Sequence, residues 1–278
     1  MQKNRLVTPL ARRRFLEGFA GFRAPFVPDN ACSRALARAP SIANHCRPPR
    51  SGDTALIATL PAPYRRLWPL AAVAALLYGL SLVTAPYPGQ PVAKAAMGIL
   101  LLAAGSACPA PRERAWLCAA LATAVLGDVL LALPAWPPSF VLGLGAFLLT
   151  HLCYCALFLR WRARPRGWRV GASIALWIAA AACYAAFFAH LGDLLVPVAV
   201  YMLALCTMAS LALAARTRGP LVALGSLIFV GSDTLIGVGR FIGVFPGIEL
   251  LIWGLYALAQ LTIVAGVFHE TTGATIRP

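Results

Sequence analysis

Charge is the scarcest commodity in this sequence. Only 12% of its 278 residues are Asp, Glu, Lys or Arg, about half of the roughly 25% found in water-soluble domains. Acids are rarest, with 9 against 24 basic residues, and there are only four histidines. Apolar residues make up 60% and the mean hydropathy is +0.76. A soluble globule is therefore excluded, and an integral, multi-pass membrane protein is expected. The eight cysteines, at 32, 46, 108, 118, 153, 155, 183 and 206, include no C-x-x-C pair; even Cys153 and Cys155 are separated by a single residue. That spacing supports neither a zinc site nor a disulfide framework, and the cysteines read as small apolar residues. Nothing in the sequence calls for a metal or other cofactor.

The net charge of +15 would suggest nucleic acid on a soluble chain, but its position argues otherwise. Residues 1–66 hold 12 of the basic residues and 3 acids, and the remainder hold 12 and 6. Residues 1–66 are rich in Arg, Pro and Ala, lack helical apolar periodicity, and read as a disordered cytoplasmic leader. Arg12, Arg13 and Arg14 precede no apolar run long enough for a secretory signal. Residues 269–278 read as a short cytoplasmic tail. The partner expected is a lipid bilayer, not nucleic acid.

Between them, residues 67–268 divide into eight apolar segments of about the length that crosses roughly 30 Å of hydrocarbon. They are 67–85, 91–108, 115–134, 139–160, 168–189, 194–215, 220–240 and 248–268. The fold class expected is thus all-α, a polytopic bundle of eight transmembrane helices. Alternate loops differ in charge. Arg65 and Arg66 precede the first segment, Arg112 and Arg114 join the second to the third, Arg160, Arg162, Arg164, Arg166 and Arg169 join the fourth to the fifth, and Arg216 and Arg218 join the sixth to the seventh. The intervening turns contain neither Lys nor Arg. By the positive-inside rule both termini face the cytoplasm, in the inner membrane if the chain is bacterial.

A charged side chain in hydrocarbon costs about 2.5–3.5 kcal/mol even on lenient scales, so the few present call for a reason. Asp128 and Asp233 each lie 13 residues beyond the start of their segments (Ala115 and Pro220), which places both about 20 Å in, at one depth. The offsets Gly145-x-Phe147-x-x-x-His151 and Gly254-x-Tyr256-x-x-x-Gln260 also match, pointing to two parallel four-helix repeats with an aspartate on the third helix of each. Tyr201 and Tyr256 fall within about one turn of the aspartates, while His151 and Gln260 fall deeper. Tyr154 shares a helix face with His151, Ser232 adjoins Asp233, and Lys94 and Arg240 form a cationic rim near the outer surface. His151 and Gln260 also have a structural reading as hydrogen-bonding glue between helices, and Lys94 and Arg240 one as snorkelling side chains. Glu113, Asp193 and Glu270 read as solvated charges, and Glu249 as a partner for Arg240.

The segments Leu126-Gly127-Asp128-Val129-Leu130-Leu131, Gly145-Ala146-Phe147-Leu148-Leu149-Thr150-His151-Leu152-x-Tyr154, Gly231-Ser232-Asp233 followed by Arg240-Phe241, and Tyr256-x-x-x-Gln260 resemble the YhhN family of lysoplasmalogenase-like integral membrane proteins, over about residues 67–268. Leu126 departs from the small or polar residue expected there. The resemblance implies hydrolysis of the vinyl ether bond of lysoplasmalogens to a fatty aldehyde and a glycerophospho-base, with a lysophospholipid or ether lipid as substrate. Such a reaction needs a proton donor to the alkene and a carboxylate to steady the cation or activate water, a division of labour met in glycoside hydrolysis. Asp128 and Asp233 are then the catalytic pair, in either order. His151, Tyr154, Tyr201, Ser232, Tyr256 and Gln260 would position substrate or water, and Lys94 and Arg240 would hold the lipid phosphate. A small-molecule or proton-coupled transporter is the competing class, since acids within two like-oriented halves also suit an ion pathway.

Overall fold

The computed structural model describes residues 60–133, 135–165 and 167–274. The leader read over 1–66 lies, up to residue 59, outside the described residues, as does the end of the tail. Among the described residues the chain forms eight α-helices: α1 (Ala62–Ser81), α2 (Gln90–Gly105), α3 (Pro111–Leu131), α4 (Ser139–Leu159), α5 (Trp168–Phe187), α6 (Leu195–Ala214), α7 (Leu221–Phe241) and α8 (Ile248–Ala274). The β structure among these residues is a single isolated bridge between Arg162 and Ala215. Seven helices are long and apolar enough to cross a membrane, and the fold is that of an all-helical polytopic membrane protein.

Helix ends depart from the apolar segments for local reasons. Hydropathy locates the stretch that suits hydrocarbon, whereas a helix continues until its backbone groups find other partners. α3 begins at Pro111, four residues early: proline at the first helical position loses no useful donor, and Glu113 in the first turn complements the helix dipole. α1 starts at Ala62 rather than 67, which makes Pro69 an interior residue. α8 runs to Ala274 instead of 268, with the Thr271 hydroxyl bonded back to the Val267 carbonyl at 2.9 Å. α2 is the shortest of the eight. Its 16 residues rise about 24 Å, short of the roughly 30 Å expected of a span; it starts at Gln90, after Gly89 turns the chain at φ +86°, and ends at Gly105 instead of 108.

The loops that carry arginine meet at one end of the bundle. Arg160, after α4, pairs with Glu113 of α3 at 2.9 Å, and the Arg169 guanidinium donates to the Leu213 and Ala215 carbonyls at the end of α6. The Arg218 amide, before α7, donates to Glu270 of α8 at 2.5 Å. Glu113 and Glu270 are thus tied into this end instead of standing free in solvent. Tyr64 near the start of α1 stacks on Phe268 of α8, with ring centroids 4.1 Å apart, so the start of α1 and the end of α8 lie together. Two indole N–H groups knit the same helices: Trp68 donates to the Leu261 carbonyl (3.0 Å) and Trp253 to that of Ala75 (2.8 Å).

Helix neighbours come in pairs that interchange the first four helices with the last four. α1 packs on α2 as α5 does on α6, α2 on α3 as α6 on α7, and α4 on α6 as α8 on α2; α3 with α4 and α7 with α8 make the two most extensive interfaces. The contacts of α8 with α1 and of α5 with α7 have no extensive counterpart. The α7–α8 interface depends on Gly225, where an added Cβ would sit 3.0 Å from both the Ala259 carbonyl oxygen and the Ile263 amide nitrogen. A Gly225→Ala variant should lose about 1–3 kcal/mol by overpacking, seen as a lower Tm in detergent. Gly254→Ala, which meets nothing within 4 Å, should unfold at or above the wild-type temperature.

Candidate functional site

The end of the bundle opposite the arginine loops holds a polar cavity of about 460 Å³. Its charged and polar walls come from four helices: Gln90 and Lys94 of α2, Asp128 of α3, Ser232 and Asp233 of α7, and Glu249 of α8. Tyr78, Trp253 and Tyr256 supply aromatic faces. Both aspartates are therefore in one place, but not for the reason expected. α3 starts 17 residues before Asp128 and α7 starts 12 before Asp233, so counting from helix starts no longer puts them at equal depth. The common cavity is what joins them.

Each aspartate is buried, Asp128 with 1% of its surface exposed and Asp233 with 9%, and each is held by two other helices. Asp128 accepts the Tyr256 hydroxyl of α8 at 2.7 Å and faces the Lys94 ammonium of α2 at 3.9 Å. Asp233 accepts the Tyr201 hydroxyl of α6 at 2.5 Å and lies 3.1 Å from His151 Nε2 of α4. His151 Nε2 is also 3.0 Å from the Tyr201 oxygen, which closes a three-membered cluster. The His151 ring is fully buried, and its Nδ1 has no partner among the described residues.

The backbone of His151 is deeper than that of Asp233, as expected: it stands 12 residues from the cavity end of α4 and Asp233 stands 8 from the cavity end of α7, a gap of about one turn, which the side chains close. Side chains lean toward the N-terminus of their helix, and these two helices run in opposite directions, so the leans converge. Gln260 does lie one turn below Tyr256. It accepts the Tyr154 hydroxyl at 2.6 Å and donates to the Tyr256 oxygen at 3.5 Å, extending the Asp128 cluster inward. The shared face of His151 and Tyr154 therefore serves two different carboxyls. Ser232 donates to the Ile252 carbonyl at 3.0 Å.

The cationic rim divides. Lys94 turns inward, its side chain only 18% exposed, while Arg240 is exposed with its guanidinium 4.9 Å from the ring centre of Phe140. The pairing expected between Arg240 and Glu249 is not formed; Glu249 turns to the cavity that holds Lys94. The sequence pointed to neither Tyr78 nor Gln90, and to Glu249 only as a partner for Arg240. Gln90 donates to the Tyr78 hydroxyl at 3.3 Å, and the signal for Gln90 and Glu249 was their place at the same end of the bundle as Lys94.

A second cavity, about 180 Å³, lies among α4, α5, α6 and α7. Its lining is apolar apart from Tyr201, Asp233, Thr234 and two cysteines. Leu131, Phe140, Phe147, Asp233 and Ile236 line both cavities, so the two adjoin at Asp233.

The Tyr154–Gln260 bond offers a test of how these buried polar groups hold the bundle. Gln260→Leu strands a fully buried hydroxyl and should cost about 1–3 kcal/mol, whereas removing both partners of a bond is often nearly neutral. The double variant Tyr154→Phe/Gln260→Leu is therefore expected to melt in detergent at a higher temperature than Gln260→Leu alone.

Residues 89–267 match the YhhN family. Lysoplasmalogenases of Mycobacterium bovis and Mycobacterium tuberculosis are each 42% identical over 230 residues, covering 75% of this chain and 88% of theirs. The lysoplasmalogenase TMEM86B of Sus scrofa is 32% identical over 165 residues, covering 59% of this chain and 66% of its own. No solved structure matches the chain. With both buried aspartates lying within a match that spans more than half of its length, the chain belongs to the YhhN family.

Proposed function

We propose that the protein hydrolyses the vinyl ether bond of lysoplasmalogens, with Asp128 and Asp233 sharing acid and base duty. The observation that carries this is the pair of buried carboxyls on one cavity, each supplied with donors from two other helices. The names of the relatives support the substrate class. Asp233 stands where the polar and apolar cavities adjoin, the place where the ether bond of a single-chain lipid separates headgroup from hydrocarbon. We assign it the proton delivered to the alkene carbon remote from oxygen, with His151, 3.1 Å away, as the group that reloads it. Protonation leaves an oxocarbenium ion. Asp128, on the polar side, takes a proton from the water that adds to it, and the resulting hemiacetal breaks to aldehyde and a free glycerol hydroxyl. Lys94, with Arg240 against Phe140 of the cavity wall, neutralises the lipid phosphate. Tyr201 and Tyr256 orient the two carboxyls, Tyr154 and Gln260 brace Tyr256, and Ser232 helps to fix the approach of α8 to α7.

Asp128→Asn and Asp233→Asn are near-isosteric and should insert normally, yet aldehyde release from a lysoplasmalogen in detergent should fall by roughly 10²–10⁴-fold, the range of general acid–base catalysis. Full activity in either variant would exclude the paired mechanism, and aldehyde release by the wild type separates hydrolysis from transport.

We further propose that the arginine-rich end faces the cytoplasm, with both termini on that side, and that the polar cavity opens toward the outer leaflet. Reporters fused after Arg164 should then read as cytoplasmic and those fused after Pro137 as external. The reverse pattern would refute the orientation.

A further inference from the structure

We infer that the apolar cavity beneath α5 seats the hydrocarbon chain of the substrate, so that a single-chain ether lipid lies across the bundle with its headgroup in one cavity and its chain in the other. This rests on the hydrolase reading above. The polar atoms of the lining are already engaged: Tyr201 is bonded to Asp233 and Thr234 donates to the Val230 carbonyl at 2.8 Å. A water-soluble ligand would find little to pair with there, whereas methylenes lose nothing. Continuity with the polar cavity at Phe140, Phe147 and Asp233 lets one amphipathic molecule occupy both.

The walls also provide an entrance and a floor. α5 packs on α6 and α7 but scarcely touches α4, and its only buried residues are Leu176 and Phe187. A lipid chain can therefore pass from the bilayer between α4 and α5 without crossing water. Leu176 and Cys206, clustered with Ala209, close the cavity on the side toward the arginine loops, and Ala180 borders the path to them. These side chains set the length of chain that fits.

The probe is a non-hydrolysable alkyl lysophosphocholine carrying a diazirine at the methyl end of a long chain, photolysed with the full-length protein and mapped by mass spectrometry. Labels should fall on Leu176, Ala180 and Cys206 and drop at least tenfold in Ala180→Phe. Labels confined to the outward-facing Ile174 and Ile178, or to α1, α2 and α8, would overturn the assignment. In turnover, Ala180→Phe should lower the ratio of kcat/KM for long over short vinyl ether lysolipids at least tenfold, because each buried methylene is worth roughly fourfold. Leu176→Ala should raise the ratio, and it keeps the test decisive if the phenylalanine variant fails to fold. An unchanged ratio in both correctly folded variants also counts against the site. Labelling at the floor without aldehyde release leaves the chain site standing and removes the hydrolase reading; aldehyde release with labels elsewhere does the reverse.

Discussion

A carboxyl inside an apolar bundle has no water to turn to, so helices must be brought to it until its oxygens are met. Two such carboxyls organise this protein. Asp128 requires α2 and α8 at its side and Asp233 requires α4 and α6, which accounts for six of the eight helices once α3 and α7 themselves are included. α1 is joined to this set through the Trp68 and Trp253 indoles. α5, which supplies no partner to either carboxyl, is the least enclosed of the spans. Burial in the bundle thus follows the demand for hydrogen-bond donors as much as the demand for apolar contact.

The same arrangement separates two kinds of space. Phe140 and Phe147 stand between the cavities, and Phe147 packs edge-on to Tyr256 and Phe229, so the division is built from aromatic rings that also fix the Asp128 donor. On one side are a lysine, a glutamate and a glutamine; on the other are aliphatic side chains. A molecule that is itself divided into a charged head and a greasy tail fits such a boundary in one orientation only. Orientation is worth much in a reaction whose proton must reach one carbon of a double bond and not its neighbour.

Most of the architecture was legible because hydrophobic length and loop charge are strong, local signals. The eight segments, the placement of their breaks near prolines and the identity of the two buried acids all follow from residue order. What was not legible shares a cause: depth counted along ideal rods from the apolar boundary takes no account of where a helix begins or which way a side chain leans. α3 extends a turn beyond that boundary at Pro111, and the side chain of His151 leans toward Asp233 across antiparallel helices, neither of which an apolar count registers. Lys94 was open between an outward and an inward position because a long aliphatic stem permits both; only the short α2 and the nearby Asp128 decide it. Glu249 resembled any helix-terminal acid, and what distinguishes it, a cavity shared with Lys94, exists only in three dimensions.

The exchange of helices between halves has a consequence for symmetry. Each aspartate takes one partner from the preceding helix of its own half and one from the fourth helix of the other: Lys94 and Tyr256 for Asp128, Tyr201 and His151 for Asp233. Neither half alone would contain a finished carboxyl environment. Two identical four-helix chains, associated in the same way, would complete both environments but make them equal, with the same donors at each. Joining the halves in one polypeptide removes that equality, so an ammonium stands beside one carboxyl and an imidazole beside the other. What the covalent link contributes is the freedom to be unequal, and a reaction that needs one group to give a proton and another to take one depends on that difference.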